Sequence, residues 1–328
     1  MKRAGVDLTC RIGSLELPNP VMTAAGTSGH GAELGDYFDL SKLGAVVVKS
    51  LAPFAFEGNP APRVCPVPGG MLNGVGLQGP GLEAWIRDEL PALADAGARV
   101  VVSVWGRRLE DFAVTAGRLA RLRSGLAGGE AGAVIAVEAN VSCPNLEDRS
   151  RMFAHSPEAT AAAVAALCDS GLPVWAKLSP NTDRLVEVAG AALSAGAEAL
   201  TLVNTLFGLA VDVEARRLVL GPGGGGLSGP ALHSVALRAV HDCRAAYPSA
   251  GIVGVGGISD GMGALRMLLA GADAVQVGTA TFADPRAPIA VRKGLEEQCG
   301  RLSVRSVREV VGAAVASGAA REGEALGG

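Results

Sequence analysis

The chain has 328 residues, of which 49% are hydrophobic and 19% charged, with a formal net charge of −3. That is ample apolar material for a large core, and the slight acidity argues against a nucleic-acid-binding protein, which would carry a basic face. No apolar run is long enough to span a membrane and the first residues carry no apolar signal core, so a cytoplasmic protein with no membrane contact is expected.

In chain order, residues 6–19 alternate around Gly13-Ser14 and read as a β-hairpin. Eight short, β-branched runs follow at 20–25, 45–49, 99–104, 134–140, 173–178, 199–204, 251–255 and 274–278. They are apolar throughout rather than alternating, as strands covered on both faces are. Helical stretches separate them, for example 158–170, 183–196 and 260–271, and several end in glycine. Eight strands alternating with helices predict a (β/α)8 TIM barrel with an N-terminal β-hairpin capping its bottom. With no linker or repeat, 1–328 is expected to be a single domain; the tail 312–328 reads as helix with a frayed end. Three strand-to-helix segments, about 51–81, 141–157 and 205–230, are long loops on the carboxyl side, where barrel enzymes carry their chemistry.

The candidate chemistry lies at those strand ends. The fourth strand runs into Asn140-Val-Ser-Cys-Pro-Asn145. Asparagine amides donate and accept, which suits a planar ligand with alternating N–H and C=O groups. Cys143 opens a polar loop that reaches solvent or substrate, and a thiol there can act as a base if its pKa falls toward neutrality; the plain alternative is a buried, inert cysteine. Lys49-Ser50 and Lys177 end the second and fifth strands and suggest an anionic ligand, unless the lysines only snorkel to the rim. Asn204-Thr205 ends the sixth. Asn73 sits among glycines in a segment that could be only a turn.

Glycine is in excess, 46 residues, roughly double the usual share. Gly223 to Gly226, Gly254-Val-Gly-Gly-Ile258 and Gly278-Thr279 lie where barrels bind phosphate on backbone N–H groups. Neither a P-loop nor a dinucleotide fingerprint is present. Six cysteines without a C-x-x-C spacing and four histidines without a ligand-type pair argue against a metal or an iron–sulfur cluster held by this chain. His155 could lie near the site or simply be solvated.

Lys49-Ser50, Asn73-Gly-Val-Gly-Leu-Gln78, Asn140-Val-Ser-Cys-Pro-Asn145, Asn204-Thr205, Gly225-Gly-Leu-Ser-Gly-Pro230 and Gly254-Val-Gly-Gly-Ile258, in this order, resemble dihydroorotate dehydrogenase over roughly residues 6 to 290. The cysteine in Ser-Cys-Pro-Asn resembles the soluble class 1 enzymes, and the Gly-Leu-Gln and Leu-Ser-Gly-Pro-Ala stretches resemble their NAD-linked branch. Asn145 stands where dihydropyrimidine dehydrogenases have histidine.

The resemblance implies FMN-dependent oxidation of (S)-dihydroorotate to orotate in pyrimidine biosynthesis. FMN would place its phosphate on Gly257, Gly278 and Thr279 and its ring near Lys177, with Ala25, Gly26, Lys49, Ser50, Ser103, Asn140, Val203, Gly229 and Gly256 around it. Cys143 would be the general base. Lys49, Asn73, Gly76, Leu77, Asn140, Asn145, Asn204 and Thr205 would hold the substrate. The family also implies a homodimer and a second subunit carrying FAD and an iron–sulfur cluster.

Three places depart from the family pattern: Ser103-Val-Trp105 where an asparagine is usual, the Asp- and Arg-rich stretch 146–155, and Ala-Leu-His233-Ser where Lys-Pro is common. They leave open a flavoenzyme acting on another reduced heterocycle, and the glycine-rich side alone would also fit a non-redox barrel binding a phosphorylated metabolite.

Overall fold

A computed structural model describes residues 5–125, 129–148 and 151–316. Eight parallel strands form the central sheet: β1 (Val21–Thr23), β2 (Val46–Val47), β3 (Val100–Val104), β4 (Val134–Asn140), β5 (Val174–Leu178), β6 (Ala199–Leu202), β7 (Gly251–Val255) and β8 (Ala274–Val277). Their spatial order is β1-β8-β7-β6-β5-β4-β3-β2. A parallel bridge between Met22 and Ala45, with Gly44 N–H donating to Val21 at 2.8 Å, brings the two ends together into a (β/α)8 TIM barrel. Each run foreseen as a strand is one, shortened by up to three residues. The apolar runs are what a parallel barrel needs: all five residues of β3, β5 and β7 are buried, by side chains inside and helices outside.

The helices carry the local signals that start them. Ser156 caps the helix Pro157–Cys168 by accepting from Ala159 N–H, with proline in the first turn, and Asp260 caps Gly261–Leu269 by accepting from Gly263 N–H. The N-terminal hairpin, Cys10–Ile12 paired with Leu15–Leu17, closes the amino end of the barrel. There Ser14 N–H donates to the Glu198 carboxylate just before β6. No helix among the described residues is long and apolar enough to cross a membrane.

Two of the three long segments build a sheet of their own, and the third holds the short pair Pro144–Asn145 and Arg151–Met152. Val64–Val67 and Gly70–Asn73 come from the segment after β2, and Leu206–Gly208 and Gly225–Ser228 from the segment after β6. They join in one antiparallel sheet, with Gly226 opposite Asn73 and Leu227 opposite Leu72. Cys65, Leu72 and Leu220 form its own small buried cluster. This sheet roofs the carboxyl end of the barrel. Of the tail, the described part ends at residue 316; the rest of 312–328 lies outside the described residues.

Candidate active site

A cavity of about 660 Å³ opens at the carboxyl ends of the strands, beneath the roof sheet. Its barrel side is made by strand ends: Lys49 and Ser50 beyond β2, Asn140 ending β4, Lys177 in β5, and Val203, Asn204 and Thr205 beyond β6. Asn73, Gly76 and Leu77 line it from the roof, and Ala25 and Gly26 from the segment after β1. Gly256, Gly257, Gly278 and Thr279 line the side beyond β7 and β8, with Gly229 beside them. Positions 170 residues or more apart in the chain thus meet because every barrel strand delivers its last residues to one rim.

The polar side chains at the rim form a chain of hydrogen bonds. Ser50 and Ser103 hydroxyls lie 2.9 Å apart, Asn140 Nδ2 donates to Ser50 Oγ at 3.2 Å, and Asn204 Nδ2 donates to Asn140 Oδ1 at 3.1 Å. Asn204 Oδ1 accepts from Thr205 N–H at 2.8 Å. Each amide is therefore held in one orientation before any ligand contacts it. Asn73 is fixed from the roof by donating to Gly226 O at 3.3 Å.

The far wall is bare backbone. Gly257 has φ +65°, and a Cβ there would lie 2.8 Å from Gly229 O and from His233 Cβ. Only glycine leaves this surface open to a close-packed group. His233, the departure from the family pattern, does not line the cavity; its Nδ1 lies 2.9 Å from Gly256 O and braces the glycine turn from behind. The short helix Ala280–Ala283 starts directly after Thr279.

Two cations face the cavity. Lys49 is half-buried, and desolvation first, then the charge of Arg63, pushes its ammonium below the usual lysine range. Lys177 is buried, with Nζ 3.4 Å from Glu138 Oε1 and 3.4 Å from Gln276 Oε1. Gln276 Nε2 donates to Glu138 Oε2 at 2.6 Å. Glu138 and Gln276 are fully buried inside the barrel and had not been singled out. The signal was present: a carboxylate and an amide interrupting otherwise apolar strands.

Several expectations need correction. Cys143 does not reach the cavity: it is fully buried, its Sγ lies 3.2 Å from Asn140 O, and Ser142 takes the place on the wall. Burial pushes its thiol up to about 12 rather than down toward neutrality. Ser142 Oγ is buried and has no hydrogen-bond partner among the described residues. Ser103 reaches the rim only through Ser50 and does not line the cavity. Trp105 also stays out of it, packing edge-on against Phe54 and Phe56 at 5.6 and 5.7 Å between ring centres. The backbone of Asn145 pairs with Arg151 beside the site; its side chain lies outside the described residues, as does Arg149. His155 is partly buried in a short turn and does not line the cavity. Missed at the sequence level were Thr27, Ser259 and Phe282, which line the cavity from flanking positions with no motif of their own; Ser228, inside the Gly225–Pro230 motif, also lines it but was given no role.

The sequence model of the dihydroorotate dehydrogenase family matches residues 7–299. Among similar proteins, one from Geotalea uraniireducens (strain Rf4) named dihydroorotate dehydrogenase B (NAD(+)), catalytic subunit, is 41% identical over 310 residues, covering 94% of this chain and 98% of its own. A protein of the same name from Desulforudis audaxviator (strain MP104C) is 45% identical over 308 residues, covering 94% and 97%. One from Pelobacter propionicus is 43% identical over 309 residues, covering 94% and 98%. With its barrel, its rim of amides and lysines and this similarity along nearly the whole length, the chain belongs to the dihydroorotate dehydrogenase family.

Proposed function

We propose that this protein binds FMN in the cavity and oxidises (S)-dihydroorotate to orotate, a step of pyrimidine synthesis. The observation that carries the reading is the meeting, around one cavity, of a glycine wall, two lysines and three oriented asparagines. The glycine wall fits a phosphate: cavity-lining backbone at Gly256, Gly257 and Gly278, and Thr279 at the start of a helix, would offer N–H groups to an anion. The cavity's size and the buried ammonium of Lys177 fit a flavin ring that gains negative charge. When bound, FMN supplies the hydride acceptor.

The residues of the chain supply the rest. Asn73, Asn140 and Asn204 pair with the donors and acceptors of the pyrimidine ring, and Asn145 joins them from the segment after β4. Lys49 meets the substrate carboxylate, and Gly76, Leu77 and Thr205 close around the ring. Ala25, Gly26, Ser50, Val203 and Gly229 border the cofactor, with Ser103 acting through Ser50. Cys143 Sγ, as thiolate, takes the proton from C5 while the C6 hydrogen leaves as hydride, so that the C5=C6 bond forms. For this the backbone at 141–143 turns Sγ to where Ser142 now stands, out of its apolar packing and toward the two lysines, whose charge favours the thiolate. The whole chain acts as one barrel unit with the antiparallel sheet as its roof. Electrons leave through a partner subunit carrying FAD and an iron–sulfur cluster, on a homodimer of this chain; the relatives' name, catalytic subunit, supports a partner.

The test is an anaerobic absorbance spectrum of the purified protein before and after adding dihydroorotate. A flavin spectrum that bleaches supports the reading. A flavin spectrum unchanged by dihydroorotate would favour another reduced heterocycle, and protein that takes up no flavin would refute it.

A further inference from the structure

Glu138 has no part in the reaction as described, yet it is a fully buried carboxylate one layer beneath the cavity. It lies on β4, two residues before Asn140, and so points to the same interior side of the barrel. Its two contacts are unequal. Gln276 on β8 donates to it at 2.6 Å, whereas Lys177 on β5 stands off at 3.4 Å from it and at 3.4 Å from Gln276 Oε1. A strong charge-assisted bond is about 2.7–2.9 Å. The carboxylate is therefore anchored to Gln276, and the ammonium is held loosely between two acceptors. An ammonium has three donors; Lys177 also lines the cavity, so it retains a donor for a ligand there. Fold stability does not call for this arrangement, because a buried ion pair returns little more than its desolvation costs and apolar residues of like volume serve as well.

We propose that Glu138, held by Gln276, is a positioning residue that sets how much of the Lys177 charge reaches the cavity, and thereby tunes the reduction potential of the bound flavin. The proposal rests on the FMN reading above. With the carboxylate in place, the Lys177 charge is partly compensated from below and the ammonium is aimed upward. With the carboxylate gone, the cavity gains net positive charge and favours whatever negative charge is added there.

The experiment measures the potential of FMN-loaded wild type, Glu138→Gln, Lys177→Met and the double variant, by equilibration with a reference dye, together with the thermal unfolding of each. Glutamine matches glutamate in shape, and the layer already contains a buried glutamine. Glu138→Gln is expected to shift the equilibrium toward reduced flavin about tenfold, about 30 mV for a two-electron couple. In the Lys177→Met background the same change is expected to shift the potential by clearly less, because Glu138 acts mainly through Lys177. Glu138→Asp keeps the charge but draws it back, and is expected to shift the potential the same way by less; it serves if the glutamine variant does not fold. An unchanged potential in Glu138→Gln, or in Glu138→Asp where that substitutes for it, would overturn the proposal even if unfolding temperatures fall. So would an equal shift with and without Lys177. Wild-type protein that binds and reduces flavin under those outcomes leaves the function intact; wild type without flavin overturns both.

Discussion

The glycine wall beyond β7 and β8 and the Cys143 segment beyond β4 sit on opposite sides of the same cavity, and they are finished to different degrees. Gly256 and Gly257 are braced by the His233 imidazole and by Gly229 O behind them and already line the cavity with backbone. Cys143, three residues past the fixed amide of Asn140, is packed inward with a thiol pushed up to about 12. The difference teaches that, on the proposed function, binding and chemistry are prepared separately. On the function proposed above, the barrel rim receives the ligand as it stands, whereas the thiol assigned as base has to be turned in. A thiol as buried and protonated as Cys143 is protected from oxidation, since reactivity follows thiolate character and exposure.

The largest effect that sharpens this contrast lies beneath the Cys143 side. Trp105 is buried in an aromatic cluster with Phe54 and Phe56, with Arg107 stacked 4.3 Å from the Phe56 ring centre. Trp105→Ala is expected to lower unfolding stability by about 3–5 kcal/mol in urea titration. Because Trp105 does not line the cavity, KM for dihydroorotate should stay near wild type; a large rise in KM would place it at the site after all.

On the glycine side, Gly257→Ala puts a methyl group 2.8 Å from Gly229 O. Flavin affinity, read by fluorescence titration, is expected to fall tenfold or more, a loss of at least about 1.4 kcal/mol. Retention of wild-type affinity would break the claim of a preformed phosphate wall.

These two sites were not equally legible in the chain. The barrel strands, the glycine wall and the amides could be read because a parallel barrel writes itself as continuous apolar runs whose ends share one rim. The roof sheet could not be read. Val64–Val67 is interrupted by Pro66, and Gly225–Ser228 opens with two glycines, so neither reads as a strand despite the two valines of the first. The ladder that joins the roof's two halves, Asn73 opposite Gly226, pairs segments 153 residues apart. Nor could the direction of Cys143 be read, because a residue three positions beyond a strand end has no periodicity to orient it. Glu138 and Gln276 were visible as polar breaks in apolar strands, but only the closed barrel brings them to Lys177.

The pH dependence follows from the Cys143 burial. A thiol whose pKa is raised is protonated below that value, and its thiolate fraction grows tenfold per pH unit. Because the thiol starts from this protonated, buried state, the single-turnover rate of flavin reduction is expected to rise with pH from pH 6 through neutrality. A rate that is flat from pH 6 upward would mean a base already ionised.

The smallest effect belongs to the roof's outer edge. Phe207 is 65% exposed on the strand Leu206–Gly208. Phe207→Ser should change the unfolding free energy of the isolated chain by no more than about 0.5 kcal/mol. A larger loss would show that the roof is packed against another chain in solution.

The most direct test of the account is anaerobic stopped-flow reduction of the FMN-loaded protein by dihydroorotate, wild type against Cys143→Ala. The account predicts that the variant keeps its flavin, because the cradle does not involve Cys143, and that its flavin bleaches about 10²–10⁴ times more slowly, the usual contribution of a positioned base. Bleaching at the wild-type rate would contradict it, since the proton at C5 would then leave without the thiol.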